Sequence, residues 1–475
     1  MKTNQESFVC RIVVMFVFCL IALCPAILKA QDVASLTGIV TDNTGAVVPD
    51  VSITLLNTAT GLTYQAKTSP LGSYTITNVP PGPGYKITFT HGGFNPVVIT
   101  DVYLNVSSTR TQNASLSIGN VTQTVEVSAA NQGVTLNTTD STVGNNFEVE
   151  LVNELPVQIR DTPSALFSLQ PGMTSDGAAT GARTDQNHVT LDGLDTDDLA
   201  TGQFRAVIGN APVDSIQEFR GVTAGPISSS DSGGGGQFQM VTKGGTNKFH
   251  GALFEYHRDT TTEANEWFNN NAGVPRAPLI RNQFGGNIGG PILRDKLFFF
   301  FEYNGRRDNQ GAQVLRTVPL DSFRNGNVAY IKNTDSSGNT CLATSRQNTT
   351  PQCIGMLNSA QVAAMDPQGV GFDPAILDLF NQRYPRANDL TAGDGINTGG
   401  FRFNAPVHRT ENNYVSRVDY NLNDAMKLWG RVSVVSQTQG DNVNYAAPIQ
   451  FPGDPLTHLI TDASYAFVVD RKSVV

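Results

Sequence analysis

Few residues in this sequence have the types and spacing that chemistry needs. Its six histidines are scattered, no G-x-S-x-G or H-E-x-x-H pattern occurs, and no Cys/His pair stands at an informative distance. Carboxylate pairs of the glycosidase kind leave no spacing that a sequence alone can show. An enzyme is therefore the weakest functional reading. The acidic cluster Asp192, Asp195, Asp197 and Asp198 could gather around calcium, but it lacks the D-x-[DN]-x-[DN]-G-x5-E order of a calcium loop. A solvated polar loop accounts for it, and for Arg183 and His188 beside it. Four glycines from Gly233 to Gly236, with Lys243-Gly244-Gly245-Thr246 shortly after, invite a phosphate-loop reading, but the order is wrong for G-x-x-x-x-G-K-[ST]. No cofactor or metal is expected.

The cysteines carry one covalent expectation. Residues 1–30 have the plan of a secretory signal: Lys2 and Arg11, a nearly unbroken apolar run from Ile12 to Leu23, then Leu28-Lys29-Ala30 before a cleavage point. Cys10, Cys19 and Cys24 fall inside it, which leaves Cys341 and Cys353 in the exported chain. Two cysteines twelve positions apart in a polar loop, in an oxidising compartment, are expected to form a disulfide.

The 475 residues carry a net charge of −9 with 15% charged residues, and no basic stripe suggests nucleic acid as a partner. Abundant glycine and scarce helix formers predict a mostly β protein of several domains. Short strands over Leu36–Thr41, Val51–Asn57, Leu62–Thr68, Tyr74–Asn78, Tyr85–Thr90 and Val97–Leu104 are separated by turns such as Asn43-Thr44-Gly45 and Pro80-Pro81-Gly82, the rhythm of a small β-sandwich. Thr122 to Ala129 alternates as one further strand. The glycine-rich seam then leads into Phe238, Met240 and Thr242 alternating with Gln237, Gln239, Val241 and Lys243, predicted as a half-buried strand.

Beyond Phe249 the alternation lengthens. Phe284, Gly286, Ile288, Gly290 and Ile292 share one face and Gln283 and Asn287 the other; Leu293-Arg294-Asp295-Lys296 turns, and Leu297 to Tyr303 returns. Tyr414, Val418, Tyr420 and Leu422 oppose Asn413, Arg417, Asp419 and Asn421, and Met426, Leu428, Val432 and Val434 oppose Lys427, Arg431 and Ser433. One face suits lipid and the other a wet lumen. Residues 308–410 read as one large polar loop, with a helix capped by Asp373 and Pro374 that reaches Tyr384.

Three resemblances rest on these residues. The run G-I-V-T-D-N-T-G-A-V-V-P-D-V-S-I-T-L, then S-P-L-G-S-Y-T-I-T-N-V-P-P-G and H-G-G-F, resembles the carboxypeptidase regulatory-like (transthyretin-type) domain, a non-catalytic sandwich grouped with carbohydrate-binding-like folds. Thr124, Val125, Glu126 and Val127 resemble a TonB box, the strand that outer-membrane receptors offer to the energising TonB protein. Asn153-Glu154-Leu155-Pro156, Leu169-Gln170-Pro171-Gly172-Met173, Thr190-Leu191-Asp192-Gly193, Ser215-Ile216-Gln217-Glu218-Phe219 and Val241-Thr242-Lys243-Gly244-Gly245-Thr246-Asn247 resemble, in order, the plug of Oar-like TonB-dependent receptors. Arg281 to Arg307 resembles their first barrel hairpin. Gln158-Ile159-Arg160-Asp161 and Ser228-Ser229-Ser230-Asp231 depart from that family's pattern.

The expected organisation is thus a signal at 1–30, a sandwich at 31–119, a box-like segment at 120–134, a plug at 135–245, and the first strands of an outer-membrane β-barrel at 246–475 with a loop at 308–410. Plugged transporters use about 22 strands, whereas about six are legible here, so the chain is expected to be a truncated copy. The resemblance implies energised passage of an extracellular ligand, carbohydrate among the candidates, with the TonB complex and outer-membrane lipid as partners. The alternative is a secreted or surface carbohydrate-binding or adhesive sandwich, which would need exposed rings among Tyr64, Tyr74, Tyr85, Phe89, Phe94 and Tyr103.

Overall fold

The computed structural model describes residues 32–119, 125–128, 142–148, 154, 160, 166–167, 169–174, 177–179, 181–196, 211–225, 234–271, 273–341, 351–423, 426–441, 450–456 and 458–473. The signal expected at 1–30, Thr124, Asp197 and Asp198 lie outside them.

Alternation with period two builds the first domain, because successive side chains of a strand point to opposite faces. Its strands are β1 (Ala34–Asp42), β2 (Ser52–Asn57), β3 (Thr63–Lys67), β4 (Ser73–Val79), β5 (Gly82–Thr90), β6 (Val97–Leu104), β7 (Thr109–Thr111), β8 (Ala114–Leu116) and β9 (Val125–Ser128). One sheet runs β4-β1-β7 with β8 also on β1; the other runs β3-β2-β5-β6-β9. Leu36, Val40, Ile53, Leu55, Ile87 and Phe89 meet between them as a closed core. Two short strands, β7 and β8, have no sequence signature: each pairs in parallel with β1 and is a strand only because β1 offers it an edge.

The second domain is a five-stranded sheet in the order β10 (Val143–Glu148), β13 (Ile216–Ala224), β14 (Gln237–Thr242), β11 (His188–Leu191), β12 (Leu194–Asp195). Phe167 stacks on Phe238 at 4.0 Å between ring centroids, and Phe219 lies 5.9 Å from Phe238 with its ring nearly parallel. The strand β14 differs from the half-buried expectation: every residue from Gln237 to Thr242 is buried. It is the central strand, covered on both faces, so its polar residues point to a protein surface and not to water. His188 also departs from the solvated-loop expectation, since it opens β11 and is buried.

The third domain is one antiparallel sheet in chain order: β15 (His250–Asp259), β16 (Leu279–Leu293), β17 (Leu297–Pro319), β20 (Thr398–Asn423), β21 (Met426–Asp441) and β22 (His458–Ser473). β17 and β20 pair without a break from Leu297↔Tyr420 to Pro319↔Thr398, so the strands run past 308 and 410 and the insertion is confined to 320–397. At about 3.3 Å per residue the 23 residues of β17 extend roughly 75 Å, far beyond the about 25 Å apolar band of an outer-membrane barrel. The excess projects past it on one side. The lengths between strands show which side: three residues separate β16 from β17 and two separate β20 from β21 at one end, whereas 19, 78 and 16 residues separate β15 from β16, β17 from β20 and β21 from β22 at the other. The large loop carries the hairpin β18 (Val328–Ile331) and β19 (Ile354–Leu357), the disulfide Cys341–Cys353 with Cα atoms 5.7 Å apart, and the expected helix Pro374–Arg383, whose Asp373 cap accepts from the Ala375 amide at 2.8 Å.

This sheet is inverted relative to a soluble one. Leu253 (93% exposed), Ile288, Phe301, Tyr414, Val418, Val432, Tyr465 and Phe467 (70%) point outward, while Arg281, Gln283, Glu302, Asn304, Arg306, Glu411, Asn413, Arg431 and Ser433 are buried on the inner face. A monomeric soluble protein rarely exposes so continuous an apolar surface. Val432→Arg is therefore expected to weaken folding into phospholipid vesicles by about 2–4 kcal/mol, and Val432→Leu by less than about 0.5 kcal/mol. Urea titrations of heat-modifiable gel mobility measure both.

Candidate functional site

The second domain lies against the inner face of the long sheet, and the contact is electrostatic at its centre. β11 and β12 are joined by the two-residue turn Asp192-Gly193, with φ of 54° and 81°. A tight hairpin of this kind needs positive φ at both positions, which Asp-Gly tolerates. The turn aims the Asp192 carboxylate at the sheet. There the carboxylate accepts from the Thr242 amide at 2.9 Å and from Thr242 Oγ1 at 2.9 Å, and it lies 3.3 Å from Arg417 and 2.8 Å from Arg431. Asp192 and Arg431 are nearly free of solvent contact, and Arg417 is part-buried. Arg417 is further held by Asp419 at 2.9 Å, donates to the Thr242 carbonyl at 3.1 Å, and lies over the Trp429 ring at 4.7 Å. Asp192 belongs to the acidic cluster read from the sequence, and an ion-pair role replaces the solvated loop expected of it.

A second contact lies deeper along the same face. Arg160 pairs with Asp214 at 3.2 Å, Lys243 donates to the Asp214 carbonyl at 2.6 Å, and Arg160 lies 5.2 Å over the ring of Tyr256 on β15. Glu302, on β17, is wholly buried facing these groups. The glycine seam has its use here: a Cβ on Gly245 would lie 2.4 Å from the Phe299 carbonyl and 2.7 Å from the Gly290 carbonyl, so only glycine lets the chain cross onto the sheet.

The sandwich touches both neighbours. Asp32, just before β1, accepts from Thr190 Oγ1 at 3.0 Å, from Ser107 Oγ at 3.3 Å and from the Gly193 amide at 2.6 Å. Glu218 accepts from the Val106 amide at 2.9 Å, and Arg220 donates to the Val106 carbonyl at 3.2 Å and to the Ser107 carbonyl. At the tight-turn end, the Asn247 amide donates to the Ala59 carbonyl at 2.8 Å, its side chain bonds Asp295, and Lys427 lies 3.9 Å over the Tyr64 ring. The sandwich therefore sits at the end with short turns.

Of the residues with TonB-box resemblance, Val125, Glu126 and Val127 form β9, paired in parallel with β6 from Val97↔Val125 to Thr100↔Ser128, with Ser128 donating to Asp101 at 3.0 Å. They are not brought to the Asp192 contact. At the opposite, long-loop end a cleft of about 500 Å³ is lined by Arg258, Glu263, Glu266, Arg276, Arg281 and Gln310, under the loop that bears the exposed Trp267 and Phe268. Sequence reasoning placed Arg417, Asp419 and Arg431 on the wet face but gave them no partner; Glu218 stood only within the Ser215-to-Phe219 motif of the plug resemblance, and Asp32 and Arg220 had no signal beyond being charges in a β context.

Among known proteins, residues 241–470 match the outer membrane beta barrel domain and residues 35–117 match the carboxypeptidase regulatory-like domain. The chain is thus an outer-membrane protein with a regulatory-like sandwich ahead of its barrel strands. Within that class it is similar to the TonB-dependent transporter Oar of Myxococcus xanthus, 27% identical over 247 residues, which are 49% of this chain and 23% of the relative. The chain thus spans about a quarter of that relative's length. Partial likeness in structure extends to the outer membrane transporter YddB from Escherichia coli (TM-score 0.39, 10% identity, 70% of this chain and 37% of that one) and to the alcaligin outer membrane receptor FauA from Bordetella pertussis (TM-score 0.30, 12% identity, 65% and 41%).

Two outcomes follow from these contacts. Asp192→Asn leaves the buried Arg431 guanidinium without its countercharge, while Arg417 keeps Asp419, and is expected to cost about 3–5 kcal/mol of the second domain's seating, read as a lower urea midpoint for amide protection of β11 and β14. Burial raises the Asp32 carboxyl to about 6, with the Asp192 charge adding and the Thr190, Gly193 and Ser107 donors opposing. The docked state then holds the proton more tightly than the free segment, so docking is strongest below about pH 4 and weakens as pH rises through 6. Spin labels at Thr44 and Arg294 should show broader distances at pH 8 than at pH 5, and Asp32→Asn should remove the difference.

Proposed function

We propose that this chain is part of a TonB-dependent outer-membrane receptor, exported by residues 1–30, in which residues 135–245 are the plug and β9, with the flanking 120–134, is the TonB box. The observation that carries the reading is the inverted sheet with a charged domain seated on its inner face: lipid-facing Val418 and Val432 lie back to back with Arg417 and Arg431, which hold Asp192. A plug in a wet lumen needs such polar contact, and a soluble sandwich does not. The tight-turn end, where the sandwich and β9 sit, is then periplasmic, within reach of TonB. The long loops, with the Cys341–Cys353 bridge and the Arg-rich cleft, face outward to meet the ligand.

No bond is made or broken in this function. Among the described residues β15 and β22 are the edges of this six-stranded sheet, and a bilayer tolerates only a sheet whose edges are closed. The carbohydrate-binding alternative loses support because Tyr64, Tyr74, Tyr85 and Phe89 are buried in or beside the sandwich core.

Photo-crosslinking from Glu126→Cys carrying a benzophenone, in outer-membrane vesicles with the purified periplasmic domain of TonB, tests the assignment. A crosslink that Val127→Pro weakens at least tenfold is expected, since proline removes a donor and cannot continue a strand. No crosslink from Glu126, with the protein correctly in the outer membrane, would sink it.

A further inference from the structure

We infer that the sandwich is a clamp on the domain in the lumen, so that docking of the sandwich and seating of that domain on the barrel wall are one coupled equilibrium. The inference rests on the reading of the second domain as the plug. Its carrier is the two-residue turn Asp192-Gly193, which is gripped from both sides. On one side the Gly193 amide is held at 2.6 Å by Asp32 of the sandwich lead-in; on the other the Asp192 carboxylate lies 2.8 Å from Arg431 and 3.3 Å from Arg417 of the barrel wall. A turn with both residues at positive φ has few alternative conformations, so a shift of the Gly193 amide moves the neighbouring carboxylate with it.

Charge adds to the coupling. Asp32 and Asp192 are neighbouring carboxylates that repel, and each is buried. Arg417 and Arg431 neutralise Asp192 and so let Asp32 approach; without them the sandwich would dock against an uncompensated negative charge. A second grip, Glu218 and Arg220 on the Val106–Ser107 backbone, fastens the sandwich to β13 on the same sheet. Because β9 is paired with β6, a pull that begins on β9 loads the sandwich before it reaches the turn.

Coupling between two contacts is reciprocal, and reciprocity is the test. The full-length receptor in detergent would carry Asp32→Ala, with Thr190→Val as a milder variant that removes one donor to Asp32 and keeps the shape. Amide exchange over β11, β12 and β14 is expected to rise at least tenfold in Asp32→Ala and by a smaller factor in Thr190→Val. Conversely Arg431→Met, on the wall side of the turn, should broaden the Thr44–Arg294 spin-label distances. If the sandwich swings free in Asp32→Ala while exchange at β11 and β12 is unchanged, or if Arg431→Met loosens the turn while the sandwich stays in place, the clamp is overturned. A bismaleimide crosslink between cysteines at Arg160 and Tyr256, whose side chains meet at the second contact and take no part in the grip on the turn, reports seating independently: its failure without any clamp mutation would remove the plug reading itself.

Discussion

A carboxylate placed between two guanidinium groups governs how the parts of this molecule can be arranged. Asp192 projects from a domain that the barrel wall does not bond covalently at that point, yet Arg431 can stay away from water only while it is there, and Arg417 is shared between it and Asp419. Separating such a set leaves buried charge unpaired, at about 3–5 kcal/mol for a single broken pair. The wall and its occupant are therefore mutually dependent, and water entering the seam offers an exit that an apolar contact would not.

The surroundings of that carboxylate follow from the solvent on the far side of the sheet. Lipid accepts Val418, Val432 and Phe467 but no unpaired backbone group. Alternation then sends every second residue of β20 and β21 inward, where Arg417, Asp419, Arg431 and Ser433 form a polar wall. A domain seated on that wall has to answer it with charge. Thr242, at the end of β14, meets that wall through Arg417, and glycine at position 245 is needed where the chain crosses from one sheet to the other.

The sandwich brings a different economy of contact. Its own core is apolar and closed, so it attaches to its neighbours through a few polar points, chiefly Asp32, the Val106–Ser107 backbone and the Tyr64 ring under Lys427. Such an element can dock and release without unfolding, and it carries β9 at the edge of one sheet, where a further strand can pair.

Local pattern by itself determined the strands of the sandwich, the two faces of the long hairpins, the helix after Asp373 and the disulfide between Cys341 and Cys353. Each depends on neighbours in sequence: period-two alternation, turn residues, a cap, or two cysteines with no other partner. The strands β7 and β8, the doubly covered β14 and the true limits of the large loop were not legible, because each is set by pairing with a distant strand. The same holds for the site. Asp192 stood out as an acid among acids and Arg417 and Arg431 as lumen-facing charges, but nothing in the sequence says that residues 225 or more positions apart will share one buried ion pair. Only the tertiary structure decided that, because the strength of an ion pair depends on the distance and the dielectric around it, and both are properties of the folded molecule.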